Sequence, residues 1–143
     1  MGSFSNYLEN ELLDHVFKTG SYTVPTNIYI ALSTTTIEDS TTGTTITEPS
    51  GGAYVRKICN TWDAAASGAT ENTQVVTFAQ ATKSWGSIQD FAICDAITKG
   101  NILVYGNLGA AKTVASGDTA KFATGEKFFS IALTSQIRGS LAC

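Results

Sequence analysis

The chain has 143 residues, enough for one domain that buries most of its apolar surface without covalent staples. Charged side chains make up 15%, well below the usual quarter, and small Thr, Ala, Ser and Gly residues fill the difference, which suits β structure with Gly-rich turns. A formal net charge of −3 speaks against a nucleic-acid partner, and three cysteines without Cys-x-x-Cys spacing speak against a disulfide framework or a zinc site.

The charge is uneven. Residues 1–48 hold six acids against the single base Lys18, and the remainder holds eight bases against six acids. Such an imbalance either orients one copy against a neighbour or is chance at these counts. The start of the chain has neither a basic n-region nor an apolar h-region, and no apolar run approaches membrane-spanning length. Neither a secretory signal nor a membrane partner is expected.

Residues 4–17, FSNYLENELLDHVF, predict an amphipathic helix capped by Asn6, with Glu9 as the reciprocal partner of a capping box. Leu8, Leu12 and Val16 form one ridge, Leu13 and Phe17 a second, and Gly20 stands where a left-handed stop belongs. The stripe must cover either the chain's own β layers or a neighbouring subunit. Residues 26–32 predict the first strand. The Ser/Thr-rich stretch 33–52 reads as a long exposed loop, with Ile37 and Ile46 as isolated apolar side chains and 48–52 as a tight turn.

Residues 53–61 predict a second strand, with Tyr54, Arg56, Ile58 and Asn60 on one face. A small-residue loop at 63–72 and a strand at 73–78 lead to Trp85. The centre is a hairpin, 89–95 and 102–108, turned at Lys99-Gly100-Asn101. In its first arm Phe91 and Ile93 share one face, while Ala92 and Cys94 on the other are small enough to lie beneath a second layer. In its second arm the alternation puts Ile102, Val104 and Leu108 on one face and Leu103 and Tyr105 on the other. A strand apolar on both sides is usually covered on both sides. A short strand at 113–115, a turn at 116–118 and a closing strand at 127–134 follow, the last with Phe129, Ile131 and Leu133 towards the core. Residues 135–143 form a polar tail carrying Ile137 and Leu141. The pattern predicts one all-β domain, an antiparallel, jelly-roll-like sandwich with a single N-terminal helix.

Catalytic patterns fail one by one. His15 has only its helix neighbour Asp14 beside it and no G-x-S-x-G elbow to serve. Gly109-Ala110-Ala111-Lys112-Thr113 lacks the Gly that a phosphate loop needs before its Lys. Asp90 and Asp95 point to opposite faces of a strand, and Asp63 with Glu71 has no metal-loop spacing. No enzyme activity, cofactor or metal is expected. Tyr54, Trp62 and Trp85 form either a sugar-stacking platform or core packing, with packing preferred.

Taken in order, the stretches SNYLENELLDHVF, NIYIALSTT, EPSGGAYVRK, TFAQATKSWGSIQDFAICDA, GNILVYGNL and VASGDTAKFATGE resemble small tailed-bacteriophage virion proteins labelled tail fibre or structural proteins. The resemblance covers most of residues 3–126 and is most specific at 50–56 and 85–95. It implies a non-enzymatic building block of a phage particle, made in the host cytoplasm. A capsid decoration (cement) protein is the expected role, as a homodimer or homotrimer bridging copies of the major capsid protein on the capsid exterior. The contacts expected for it are Leu8, Leu12 and Val16 on the helix, Ile37 and Ile46 on the loop, and Ile137 and Leu141 on the tail. Tucking of the loop and tail residues onto their own domain is the other reading. The alternative role is a tail-fibre or receptor-binding component that uses the Tyr54, Trp62 and Trp85 platform.

Overall fold

Period-two alternation through residues 86–114 builds the two longest strands of the computed structural model, which describes residues 2–126, 128–130 and 141–142. In chain order the elements are β1 (Ser3–Phe4), α1 (Asn6–Val16), β2 (Tyr29–Ser33), β3 (Lys57–Ile58), β4 (Ala69–Thr70) and β5 (Val76–Thr77). β6 (Gly86–Cys94), β7 (Ile102–Val114), β8 (Lys121–Phe122), β9 (Phe129–Ser130) and β10 (Leu141–Ala142) follow. They form a five-stranded sheet in the order β1-β7-β6-β2-β3, a three-stranded sheet β10-β8-β5 and a β4-β9 pair. Every pairing is antiparallel. Among the described residues the fold is thus all-β with one short helix, as the strand pattern of the sequence predicts. The strand order carries the antiparallel class, not jelly-roll connectivity.

The β6–β7 hairpin is the centre expected from sequence, but a bulge changes its second arm. Ile93 pairs with Val104 while the next residue, Cys94, pairs with Ile102, so Leu103 has no opposite partner. An extra residue in one strand swaps the faces beyond it. Ile102 therefore lies with Ala31, Ala92 and Cys94, whereas Leu103 and Val104 both join the main core. Strict alternation put Ile102 with Val104, and the bulge corrects it.

The two faces of this sheet are covered differently. On one, Ile30, Leu32, Phe91 and Ile93, with Val114 of β7, meet Val76 and Phe122 of the smaller sheet and Phe78 beside it, together with Leu8 and Phe128. Its centre is aromatic: the rings of Phe122 and Phe128 lie 4.9 Å apart, with Phe91 5.1 Å from Phe128 and 5.9 Å from Phe122. On the other face Ala31, Ala92, Cys94 and Ile102 are covered by Ile37 and Ile46 of the 33–52 segment. The small side chains at Ala92 and Cys94 do lie under a second layer, and that layer is the Thr-rich loop. The expectation that Ile37 and Ile46 stand exposed is corrected: both are buried. A loop that brings two isoleucines to an apolar sheet face gains more from burying them than from leaving them in water.

The helix starts one residue earlier than the Asn6 cap predicts. Ser5 is the cap, and its Oγ accepts from the Leu8 N–H at 3.3 Å. The same hydroxyl donates to the Ile102 carbonyl, and the Ser5 N–H to the Leu103 carbonyl at 3.0 Å, so capping and docking onto β7 are one event. Leu8 is buried and Leu12 half-buried, but every residue from Leu13 to Ser21 is exposed. The predicted ridge thus faces inward only at its first two positions, and the last turn of α1 projects from the body.

Candidate interaction surfaces

The segment that joins the loop to β3 explains the most specific stretch of the sequence. Gly51 and Gly52 take φ of 71° and 60°, the left-handed region where glycine carries no side-chain penalty, and Ala53 follows at 64°. The turn is fastened by the Trp85 indole N–H, which donates to the Gly52 carbonyl at 2.8 Å. Beyond it, Tyr54 and Arg56 sit two residues apart, on the same side of an extended chain. Both reach Glu48.

Arg56 is the hub. Its Nε–H is shared between the two Glu48 carboxylate oxygens at 3.0 and 3.1 Å. Nη1 donates to the carbonyls of Ala96 and Lys99 at 2.9 and 2.8 Å, and Nη2 donates to the Gly43 carbonyl and to Glu48 Oε2, both at 2.8 Å. All five guanidinium N–H groups are used. Tyr54 Oη donates to Glu48 Oε1 at 2.7 Å and accepts from the Leu32 N–H at 2.8 Å. Burial and the neighbouring Glu48 carboxylate push the Tyr54 phenol far above its ordinary value. Burial works against the charge on Arg56, but Glu48, together with Cys94 and Tyr54, turns the net shift upward. The Arg56 side chain is 1% exposed, so this ion pair is a clasp within the fold and not a surface for a ligand.

The expected contact residues separate accordingly. Leu8, Ile37 and Ile46 are buried in their own chain, Leu12 is half-buried, and Val16 is exposed. Leu141 lies in β10, opposite Phe122, and Ile137 lies outside the described residues, as do Ile131 and Leu133. The proposed sugar platform does not form. Trp85 is buried, with its ring centroid 5.3 Å from Tyr54 and 6.3 Å from Phe78. Trp62 turns its edge to Phe128 at 5.4 Å and gives its indole proton to the Cys59 carbonyl at 2.8 Å. All three rings fill the domain, because their apolar bodies outweigh one polar atom each.

The groups weighed for chemistry serve the backbone. Asp90 is buried and accepts from the Ile37 N–H at 2.7 Å; burial raises its pKa, and that hydrogen bond offsets only part of the rise. Asp95 fixes the hairpin turn by accepting from the Asn101 N–H and Nδ2 at 2.7 and 2.8 Å. His15 is exposed and its Nδ1 accepts from the Tyr22 N–H at 3.4 Å. Asp63 and Glu71 are brought together, the Asp63 N–H donating to the Glu71 carbonyl at 3.0 Å, and both line a shallow cavity of about 190 Å³. No group of three or more His, Cys, Asp or Glu suited to a metal occurs among the described residues. Cys94 is buried under the loop, which pushes its thiol up to about 12.

Surface features that remain open are of two kinds. A wide polar groove of about 550 Å³ runs between Tyr7, the 23–29 segment and Asp95 to Ile97. Exposed apolar side chains stand elsewhere among the described residues: Leu13, Val16 and Phe17 at the projecting end of α1, and Ile58 and Val75 on one groove beside β3 and β5, with Val55 three residues before Ile58. The clasp and the group beside β3 and β5 were missed in the sequence, whereas Leu13, Val16 and Phe17 were named there as helix ridges. A signal for the clasp was there, in Glu48 before a Pro-Ser-Gly-Gly turn with Tyr54 and Arg56 beyond it on one face.

A family model described as podophage GP4 fiber I protein gp80 matches residues 3–129. No curated protein matches the chain. Among the described residues no helix is long and apolar enough to cross a membrane.

Proposed function

The chain belongs to the podophage GP4 fiber I protein family, and from that premise we propose that it is a structural subunit of the virion's fibre apparatus, acting by packing and not by catalysis. The observation that carries this reading is the family match across residues 3–129. The internal use of its polar groups supports it: Arg56, Glu48, Asp90 and Asp95 hold turns and loops in place and leave no assembled acid–base pair among them.

A second reading, a cement protein on the capsid exterior that bridges major capsid subunits, is favoured by one feature. The described residues contain no long helix or repeat from which a projecting stalk is built, since α1 has 11 residues. Its other support, a polar loop free to drape over a neighbour, is weakened by the burial of Ile37 and Ile46. Copy number per purified virion, measured by quantitative mass spectrometry against the major capsid protein, separates the two. A small ratio is expected for a fibre subunit. A ratio near one-to-one would transfer the chain to the shell, and absence from the particle would overturn both.

A further inference from the structure

A fibre subunit has to join other subunits, and on that reading these two sets of exposed apolar side chains acquire a purpose. We propose that copies of this chain associate head to tail. The projecting end of α1 in one copy, Leu13, Val16 and Phe17, packs on the margin formed by Val55, Ile58 and Val75 in the next.

The exposures are large for such side chains: 55, 66 and 71% for Leu13, Val16 and Phe17, and 55, 46 and 53% for Val55, Ile58 and Val75. Scattered single apolar residues on a surface need no explanation, but Leu13, Val16 and Phe17 share one helical face and Ile58 and Val75 line one groove, with Val55 close by in sequence. One group is a knob, because every residue from Leu13 to Ser21 is exposed. The other borders a recess, because Ile58 and Val75 line a groove of about 210 Å³ between the 58–61 and 74–76 backbones. They also lie on different elements of the domain. α1 packs against β1 and β7, at one margin of the five-stranded sheet, and β3 is the other margin.

Charge selects the pairing. Glu9 precedes Leu13 by one helical turn and, like Asp14, is exposed; set against Lys18, the one exposed base there, they leave the knob with a net acidic rim. Lys57 on β3 and Lys121 on β8 are exposed beside the recess and make no ion pair among the described residues. A two-fold contact of knob with knob would set Glu9 and Asp14 against their own images, and recess with recess would do the same for the lysines. Knob to recess brings opposite charges together and buries both apolar groups. This is also the assignment that gives the acidic first third of the chain a partner. A heterologous contact of this kind closes into a ring or extends as a filament, according to the rotation between copies.

Sedimentation velocity on the full chain tests it, with Phe17→Asp and Val75→Asp as the two variants. Both side chains are exposed, so both variants should melt like the wild type, which circular dichroism checks. The wild type is expected to self-associate in a concentration-dependent way, and each variant alone to be monomeric. Mixed in equal amounts they should form a dimer that grows no further, since each variant keeps the surface the other lacks. Glu9→Lys should weaken the wild-type association about fivefold. A monomeric wild type overturns the proposal. So does loss of association in Phe17→Asp alone, which marks a two-fold knob contact, or a mixture that stays monomeric. The fibre reading fails separately: a chain that associates head to tail yet is absent from virions defeats it and leaves this contact standing.

Discussion

The two faces of the central sheet are buried by different physics. One is an aromatic core in which Phe91 meets Phe122 and Phe128 edge to face, and those two rings tilt against each other, beneath regular strands and a helix. The other is a layer of small side chains under a segment with no strand or helix of its own, held by hydrogen bonds to Arg56, Asp90 and the hairpin turn. The contrast teaches that a loop rich in Thr and poor in apolar residues is made as much a part of a fold as a strand when its backbone groups find fixed partners. Within the loop the Thr34 N–H donates to the Thr47 carbonyl at 2.9 Å, and the Gly43 N–H donates across to the Gly100 carbonyl at 3.1 Å.

Truncation on each side measures the two mechanisms against each other. Phe91→Ala should cost roughly 3–5 kcal/mol in urea unfolding, the usual loss for an aromatic core side chain. Arg56→Met should cost a comparable amount, roughly 3–5 kcal/mol, because it strands Glu48 and leaves the Gly43, Ala96 and Lys99 carbonyls without their donor. If Arg56→Met costs less than about 1 kcal/mol, the loop face is held by its isoleucines and the contrast collapses.

A smaller effect is expected at Gly43, where an added Cβ would stand 2.0 Å from the Lys99 carbonyl oxygen. Gly43→Ala should lower stability by about 1–3 kcal/mol through overpacking against backbone that has no room to yield. Gly52→Val should cost about 1–3 kcal/mol for the strain of a β-branched residue at φ 60°. Unchanged melting in either variant would mean that the turn and loop have freedom that the hydrogen bonds deny them.

Alkaline pH probes the loop face through Cys94, while burial also raises Cys59 in the main core and Tyr54, so the Cys94 variant isolates its share. The Cys94 thiol, ordinarily near 9.0, is raised to about 12 by burial. A group raised on folding contributes stability that is complete below its unfolded value and is lost as pH climbs to its folded one. The melting temperature should therefore hold up to about pH 9 and fall above it, and Cys94→Ala should flatten the fall. The least effect on folding is expected at the projecting helix end: Leu13→Ser should change the stability of the isolated chain by no more than about 0.5 kcal/mol.

Much of this architecture was legible in the residues. The hairpin declared itself by alternation over 89–95 and 102–108, though β7 runs on to Val114 and takes in what read as a separate strand at 113–115; the buried role of Ala92 and Cys94 showed in their size, and the turn at 51–52 in two adjacent glycines. The bulge at Leu103 was not, because an extra residue shifts the faces without altering composition. Nor was the direction of the loop. Two isoleucines among threonines read equally well as anchors for a neighbour or as a lid for the chain itself, and only the partner face decides. Strands 53–61 and 73–78 were overdrawn, since β3 and β5 are two residues each where the chain leaves the ladder for the Arg56 clasp and for the 61–63 and 71–73 pairing. For interaction surfaces, the helix periodicity identified the apolar side chains but not which of them α1 carries past the edge of the sheet.

The central claim is that residues 33–52 are a built-in layer of the fold and not an arm that waits for a partner. Hydrogen exchange on the isolated chain, resolved at single amides by NMR, tests it most directly. The account predicts that the Ile37, Gly43 and Ile46 amides, bonded respectively to Asp90, Gly100 and Thr42, are protected within a few fold of the strand amides of β6. Exchange of these three amides at the rate of an open chain, with β6 still protected, would contradict it and return the loop to the role of a docking arm.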